Sequence, residues 1–99
     1  MIIISLTSYP TESVKEIGKR FMELPALADY ITMKGPYISS TVEEGIKGIT
    51  IYEFDESRYP EAIKYIGERI ATLFGIPGFT YSLKHWLEVQ DALKMIGLG

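Results

Sequence analysis

Ninety-nine residues suffice for one modest hydrophobic core, so a single domain spanning residues 1–99 is expected. Hydrophobic residues at 46%, charged at 23% and aromatic at 12% describe a folding globular chain, and a net charge of −3 gives no broad positive field to hold nucleic acid or an anionic membrane. With no cysteine, disulfides, thiolate metal sites and a cysteine nucleophile are excluded together, and packing must carry the stability.

Met1 to Ile4 is apolar but has no basic leader and runs straight into Ser5 and Thr7. No apolar run approaches the roughly 20 residues of a membrane-spanning helix, so a soluble, cytoplasmic protein is expected. Ile2 to Thr7 alternates Ile2, Ile4 and Leu6 against Ile3, Ser5 and Thr7, which predicts strand one. Pro10 suits a first helical turn, and Val14, Ile17, Gly18 and Phe21 fall along one helix face until Pro25 stops it. Tyr30 to Ser39 alternates again, interrupted by Gly35 and Pro36, which point to a bulge or an edge, and an edge strand is expected.

Val42 to Gly45 reads as a hairpin connection into strand three, Ile46 to Phe54. Ser57 is the expected N-cap of a second helix. Its apolar stripe of Tyr59, Ile63, Ile66, Gly67, Ile70, Leu73 and Phe74 closes at Gly75 and Pro77. Phe79 to Trp86 is strand four, and Leu87 to Ile96 a short terminal helix ended by Gly97.

The two long helices are copies of one pattern. Val14-Lys-Glu-Ile-Gly-Lys-Arg-Phe21 aligns with Ile63-Lys-Tyr-Ile-Gly-Glu-Arg-Ile70, and a Tyr-Pro pair precedes each helix, Tyr9-Pro10 and Tyr59-Pro60. The halves read as two βαβ units. Gly18 and Gly67 sit on the apolar stripes at about 1 kcal/mol cost relative to alanine, which predicts close approach of each helix to a neighbour.

Two such units place both helices on one face of an antiparallel sheet and leave the other open. If Ile2, Ile4 and Leu6 meet the helices, the open face carries Ile3, Ser5, Thr7, Thr32, Lys34, Thr50, Tyr52 and Phe54. Strand four adds either Thr80, Ser82, Lys84 and Trp86 or the opposite set with His85. Hydroxyl groups, lysine and tyrosine are awkward to bury dry and easier to place around a cavity.

In element order, length, the duplicated Ile17-Gly18 and Ile66-Gly67 motif, and the stretch His85, Trp86, Leu87 through Ala92, Leu93 and Lys94, the chain resembles the dimeric α+β barrel superfamily. The resemblance covers nearly the whole chain. It implies an α+β, ferredoxin-like βαββαβ sandwich with a four-stranded antiparallel sheet, a short C-terminal helix, and a homodimer formed sheet to sheet around a central cavity. Members of that superfamily include cofactor-free monooxygenases, haem-linked enzymes and small isomerase-like enzymes, so the resemblance implies a cavity rather than one chemistry.

Within that frame His85, the only histidine, is a candidate proton shuttle, although lone histidines are more often structural. Tyr52, central on strand three, is its expected catalytic companion, while Lys34, Trp86, Tyr9 and Tyr37 are candidate ligand-binding residues. Lysine on an edge strand also serves to block aggregation. Arg20 and Arg69, equivalent in the repeat, read as solvated helix faces or symmetric interface pairs. Asp55 and Glu56 fit a helix start, where the dipole favours carboxylates.

No phosphate loop, nucleophile elbow or zinc pattern is present, so neither a cofactor nor a metal is expected. The sequence leads to a small homodimeric protein that binds a small polar or aromatic molecule on the open sheet face, as a binding protein or a cofactor-free enzyme. Its alternative is a non-catalytic module that uses the same face only for association.

Overall fold

The computed structural model describes residues 1–99. Its elements are β1 (Ile2–Tyr9), α1 (Val14–Met22), β2 (Thr32–Thr41), β3 (Gly45–Glu53), α2 (Tyr59–Ala71), β4 (Thr80–Trp86) and α3 (Val89–Met95), with a 3-10 turn leading into each of α1 and α2. The strands form one open sheet in the order β2-β3-β1-β4, and all three ladders are antiparallel. The arrangement is α+β and compatible with a ferredoxin-like fold. β2 lies at one edge, as its glycine and proline predict, and the β2–β3 register slips between Lys34 and Tyr37 around Gly35-Pro36.

α1 and α2 pack on the same face of the sheet, but not on the face that strand one predicts. Ile3 and Ser5 are buried beneath the helices together with Thr50, Tyr52 and Phe54, while Ile4, Leu6, Ile49 and Ile51 face the other way. The alternation of β1 is ambiguous because Ile2, Ile3 and Ile4 are consecutive, so either parity offers an apolar side chain to the core. What decides is the pairing of Ile3 with Tyr52, which seats both against Ala62 and Ile66 of α2.

The core divides in two. Ile3, Ile31, Tyr52, Phe54, Ala62 and Ile66 form one cluster under the first half of α2. Ile17 of α1 meets Leu73 and Ile76 in a second. The chain from Pro25 to Ile31 is tied over α2 by Tyr65, whose hydroxyl donates to Ala26 O at 2.8 Å and accepts from Ala28 N at 3.1 Å. Buried Ser13 donates to Pro77 O at 2.6 Å and joins the start of α1 to the segment after α2.

Local details correct three expectations. The start of the second helical segment is capped by Asp55 instead of Ser57: its carboxylate accepts from Ser57 N at 2.9 Å and Ser57 Oγ at 2.6 Å. Strand two begins two residues later than its alternation suggests, because Ile31 N is spent on a turn to Ala28 O. Gly18 and Gly67 approach nothing: an added Cβ would find no atom within 4 Å at either position.

At the β2–β3 hairpin Gly45 does carry a backbone requirement. Its φ is +74°, and a Cβ there would lie 2.9 Å from Tyr9 O. α3 ends in a Schellman motif on Gly97, with Leu98 N bonded to Leu93 O at 2.9 Å and Gly97 N to Lys94 O at 3.1 Å. No α3 residue is buried. No helix is long and apolar enough to cross a membrane.

Candidate functional site

Between the two core clusters, under α1 and α2, lies a cavity of about 350 Å³. It exists because the residues meeting there are short. Ser5 pairs across the sheet with Thr50, Gly48 pairs with Thr7, and Gly18 offers no side chain from α1. Strand alternation then sets Ser5, Thr7 and Tyr9 in a row along one side of the floor, with Thr50 and Tyr52 beside them. Apolar walls come from Val14, Ile17 and Phe21 on α1, Ile70 on α2, and Met33 and Phe79.

One charge enters this space. Arg69, on the sheet-facing side of α2, is only 9% exposed. Its Nη1 donates to Pro25 O at 2.9 Å, and the guanidinium lies 5.9 Å from the centre of the Tyr65 ring. Its Nε is buried with no hydrogen-bond partner. None of the four ion pairs in the molecule includes Arg69.

Burial raises the Tyr52 hydroxyl above the ordinary phenol value, and the neighbouring Arg69 guanidinium only partly opposes that shift. Burial raises Tyr9 in the same direction. Both are therefore neutral hydrogen-bonding phenols near pH 7, not bases. No histidine, carboxylate or lysine lines the cavity.

The structure brings Tyr52 and Tyr9 together in this cavity but scatters the other sequence candidates. Tyr52 lies on the helix-covered face, not the open one, for the reason of register given above. His85 occupies the far end of β4, opposite Ile3, with its ring 6.0 Å from that of Tyr59. It borders a separate cleft of about 280 Å³ at the start of α3, with Glu56 and Asp91. Trp86 lines that cleft too but points to the open face, half exposed.

Lys34 and Tyr37 are also on the open face, in register with Ile51 and Ile49. Lys34 Nζ meets Glu53 Oε1 at 2.7 Å, and that carboxylate raises the lysine above its ordinary value. The open face therefore presents apolar Ile4, Leu6, Ile49 and Ile51 flanked by charge, and of the residues expected there it carries Thr32 and Lys34 with the Thr80, Ser82, Lys84 and Trp86 set of β4. Ser5, Thr7, Thr50 and Tyr52, also expected there, are on the inner floor.

Ser5, Thr7 and Thr50 belong to the site through this reversal of face, and Arg69 is neither solvated nor at a surface. A signal for Arg69 was present in the repeat: Glu16, four residues before Arg20, aligns with Tyr65, four before Arg69. No cluster of three or more histidine, aspartate or glutamate side chains is placed to hold a metal ion. No family model matches the chain, and no curated protein matches its sequence.

Proposed function

We propose that this chain is a small-molecule-binding protein whose ligand occupies the cavity beneath α1 and α2, and that it works as a ferredoxin-like homodimer joined through the open faces of its sheets. The observation that carries the first part is the cavity itself: about 350 Å³ of mostly apolar space with convergent hydroxyl and guanidinium groups on one side. This combination suits a compact organic molecule with a polar end.

The second part rests on the sheet. Ile4 pairs with Ile51 and Leu6 with Ile49, and these four side chains sit together on a face that nothing in the chain covers. Leu6 is 45% exposed. α3 and the residues that follow it add Val89, Leu93, Ile96 and Leu98, all exposed. An apolar sheet face of this kind belongs to interfaces, and two sheets packing face to face would bury it. The cavity then lies inside each protomer instead of between the two sheets.

Binding without turnover is the stronger form of the proposal. The cavity holds no general base, and Tyr52 and Arg69 supply only hydrogen-bond donation and positive charge. Those groups would stabilise negative charge on a bound oxygen, which is what an isomerase-like or cofactor-free oxygenating enzyme requires in addition to a base. The second reading, a module that only associates, draws on the open face and α3 and needs no cavity.

Native mass spectrometry of the untreated protein tests both parts. A dimer retaining a discrete small mass is expected, and Leu6→Glu should give a monomer. A monomeric parent protein would overturn the dimer. A dimer that carries no extra mass and takes up none from a library of small organic molecules would leave the association module.

A further inference from the structure

The two halves of the molecule hold each other by a reciprocal contact. Arg20 Nη1 reaches from α1 to the chain leaving α2, donating to Thr72 O at 3.0 Å and Phe74 O at 3.2 Å. Arg69 Nη1 reaches from α2 to the chain leaving α1, at Pro25 O. The offset that relates Arg20 to Arg69 also relates Pro25 to Phe74, so these are one contact made twice.

The copies differ in one respect. Arg20 Nε is paired with Glu16 Oε1 at 2.9 Å, whereas Tyr65 stands at the equivalent place beside Arg69 and Arg69 Nε has no partner. The copy that lost its carboxylate is also the buried one. Arg20 keeps about a third of its side chain in solvent, and Arg69 almost none.

A guanidinium cannot shed its proton to escape burial. Burying it without a counter-charge is costly, and in folded proteins buried charges are paired. No ion pair joins Arg69 to a carboxylate, and Tyr52, Ser5 and Thr50, which line the cavity with it, carry hydroxyls able to donate.

We infer, on the basis of the cavity reading above, that the ligand is a monocarboxylate on an apolar body, with its carboxylate serving as the counter-ion that Glu16 provides to Arg20 in the other half. One guanidinium without a lysine matches a single negative charge, and a planar carboxylate can pair with a guanidinium that borders the cavity beside the Tyr52 hydroxyl. The apolar remainder lies against Val14, Phe21 and Phe79.

Isothermal titration calorimetry on the full chain tests the inference, using octanoate, decanoate and phenylbutanoate, each beside its primary amide. The expected result is that at least one acid binds and its amide binds about tenfold or more weakly, the size of one lost charged hydrogen bond. Arg69→Gln should remove that preference, so that acid and amide bind the variant about equally. Where Arg69→Gln does not fold, Tyr65→Glu restores the internal carboxylate of the first half and should abolish the preference in the same way. Acid and amide binding equally would overturn the carboxylate while leaving the cavity reading intact. Preference surviving in a folded Arg69→Gln or Tyr65→Glu protein would assign it to another group. Binding by neither series would overturn the carboxylate ligand, while the cavity reading itself stands or falls by the retained mass and the library of small molecules described above.

Discussion

Replacing Gly18 and Gly67 by alanine, singly and together, probes why two helices carry glycine in their apolar stripes. A glycine inside a helix is about 1 kcal/mol less favourable than alanine, because it leaves more backbone freedom to lose on folding. That gain on substitution is offset only if the new methyl group meets something. At both positions a Cβ would have no atom within 4 Å, so the offset is absent. Each variant should therefore be stabilised by about 0.5–1 kcal/mol, which for a domain of this size is a rise of roughly 4–8 °C per kcal/mol in Tm. The glycines lie on different helices, so the double variant should show nearly the sum. Urea denaturation with an unchanged m-value, alongside a thermal melt, reads the effect. A lower midpoint for either single variant would refute the reasoning, because it would mean that the methyl group meets a neighbour in solution.

The Tyr52 hydroxyl titrates above the unfolded value of about 10, so its contribution to stability is complete below that pH and is lost as the pH rises through the higher folded value. Tyr52→Phe should flatten the loss of stability measured by denaturation as the pH rises above about 10, and identical slopes for the two proteins would refute the assignment. The opposite sign holds for Asp55, which Ser57 keeps below the ordinary carboxylate value. Its capping contribution is present above about pH 4 and lost as the pH falls through the lower folded value, so the Tm difference between the parent protein and Asp55→Ala should narrow on acidification. A difference independent of pH would show that the carboxylate charge is immaterial to the cap.

The order of strands and helices was legible because each element is delimited by a residue with a mechanical effect: Pro25 after α1, Gly45 at the hairpin, Gly97 after α3. The edge position of β2 followed from Gly35-Pro36. The face of the sheet was not legible. Period-two alternation names two faces but not which one is covered, and Ile2, Ile3 and Ile4 supply a hydrophobic residue to both. The usual tie-breaker, that the more apolar set faces the helices, misled here. The inner floor holds Ser5, Thr7 and Thr50 around a cavity, while the outer face holds Ile4, Leu6, Ile49 and Ile51. Pattern reasoning tends to fail where the chain departs from simple core-building, and here that place is the candidate site. Tyr52 was identified from its central position, which does not depend on the face. Arg69 was misjudged because the repeat was read for its four identities instead of for the Glu16-to-Tyr65 difference.

The strand order has a consequence for how the protein comes apart. β1 and β2 belong to the first half and β3 and β4 to the second, yet the ladders join β1 to β3, β1 to β4 and β2 to β3. Every ladder crosses between the halves and none lies within one, and the two arginine clasps cross as well. A severed half would have two strands with no partner and a helix with no sheet beneath it. Folding must then bring distant parts of the chain together before the β1–β3 and β1–β4 ladders are satisfied, a slow entropic search compared with growth from a local hairpin. The β2–β3 hairpin, the one ladder between strands adjacent in sequence, bridges the duplication boundary and is the least expensive place for that search to begin.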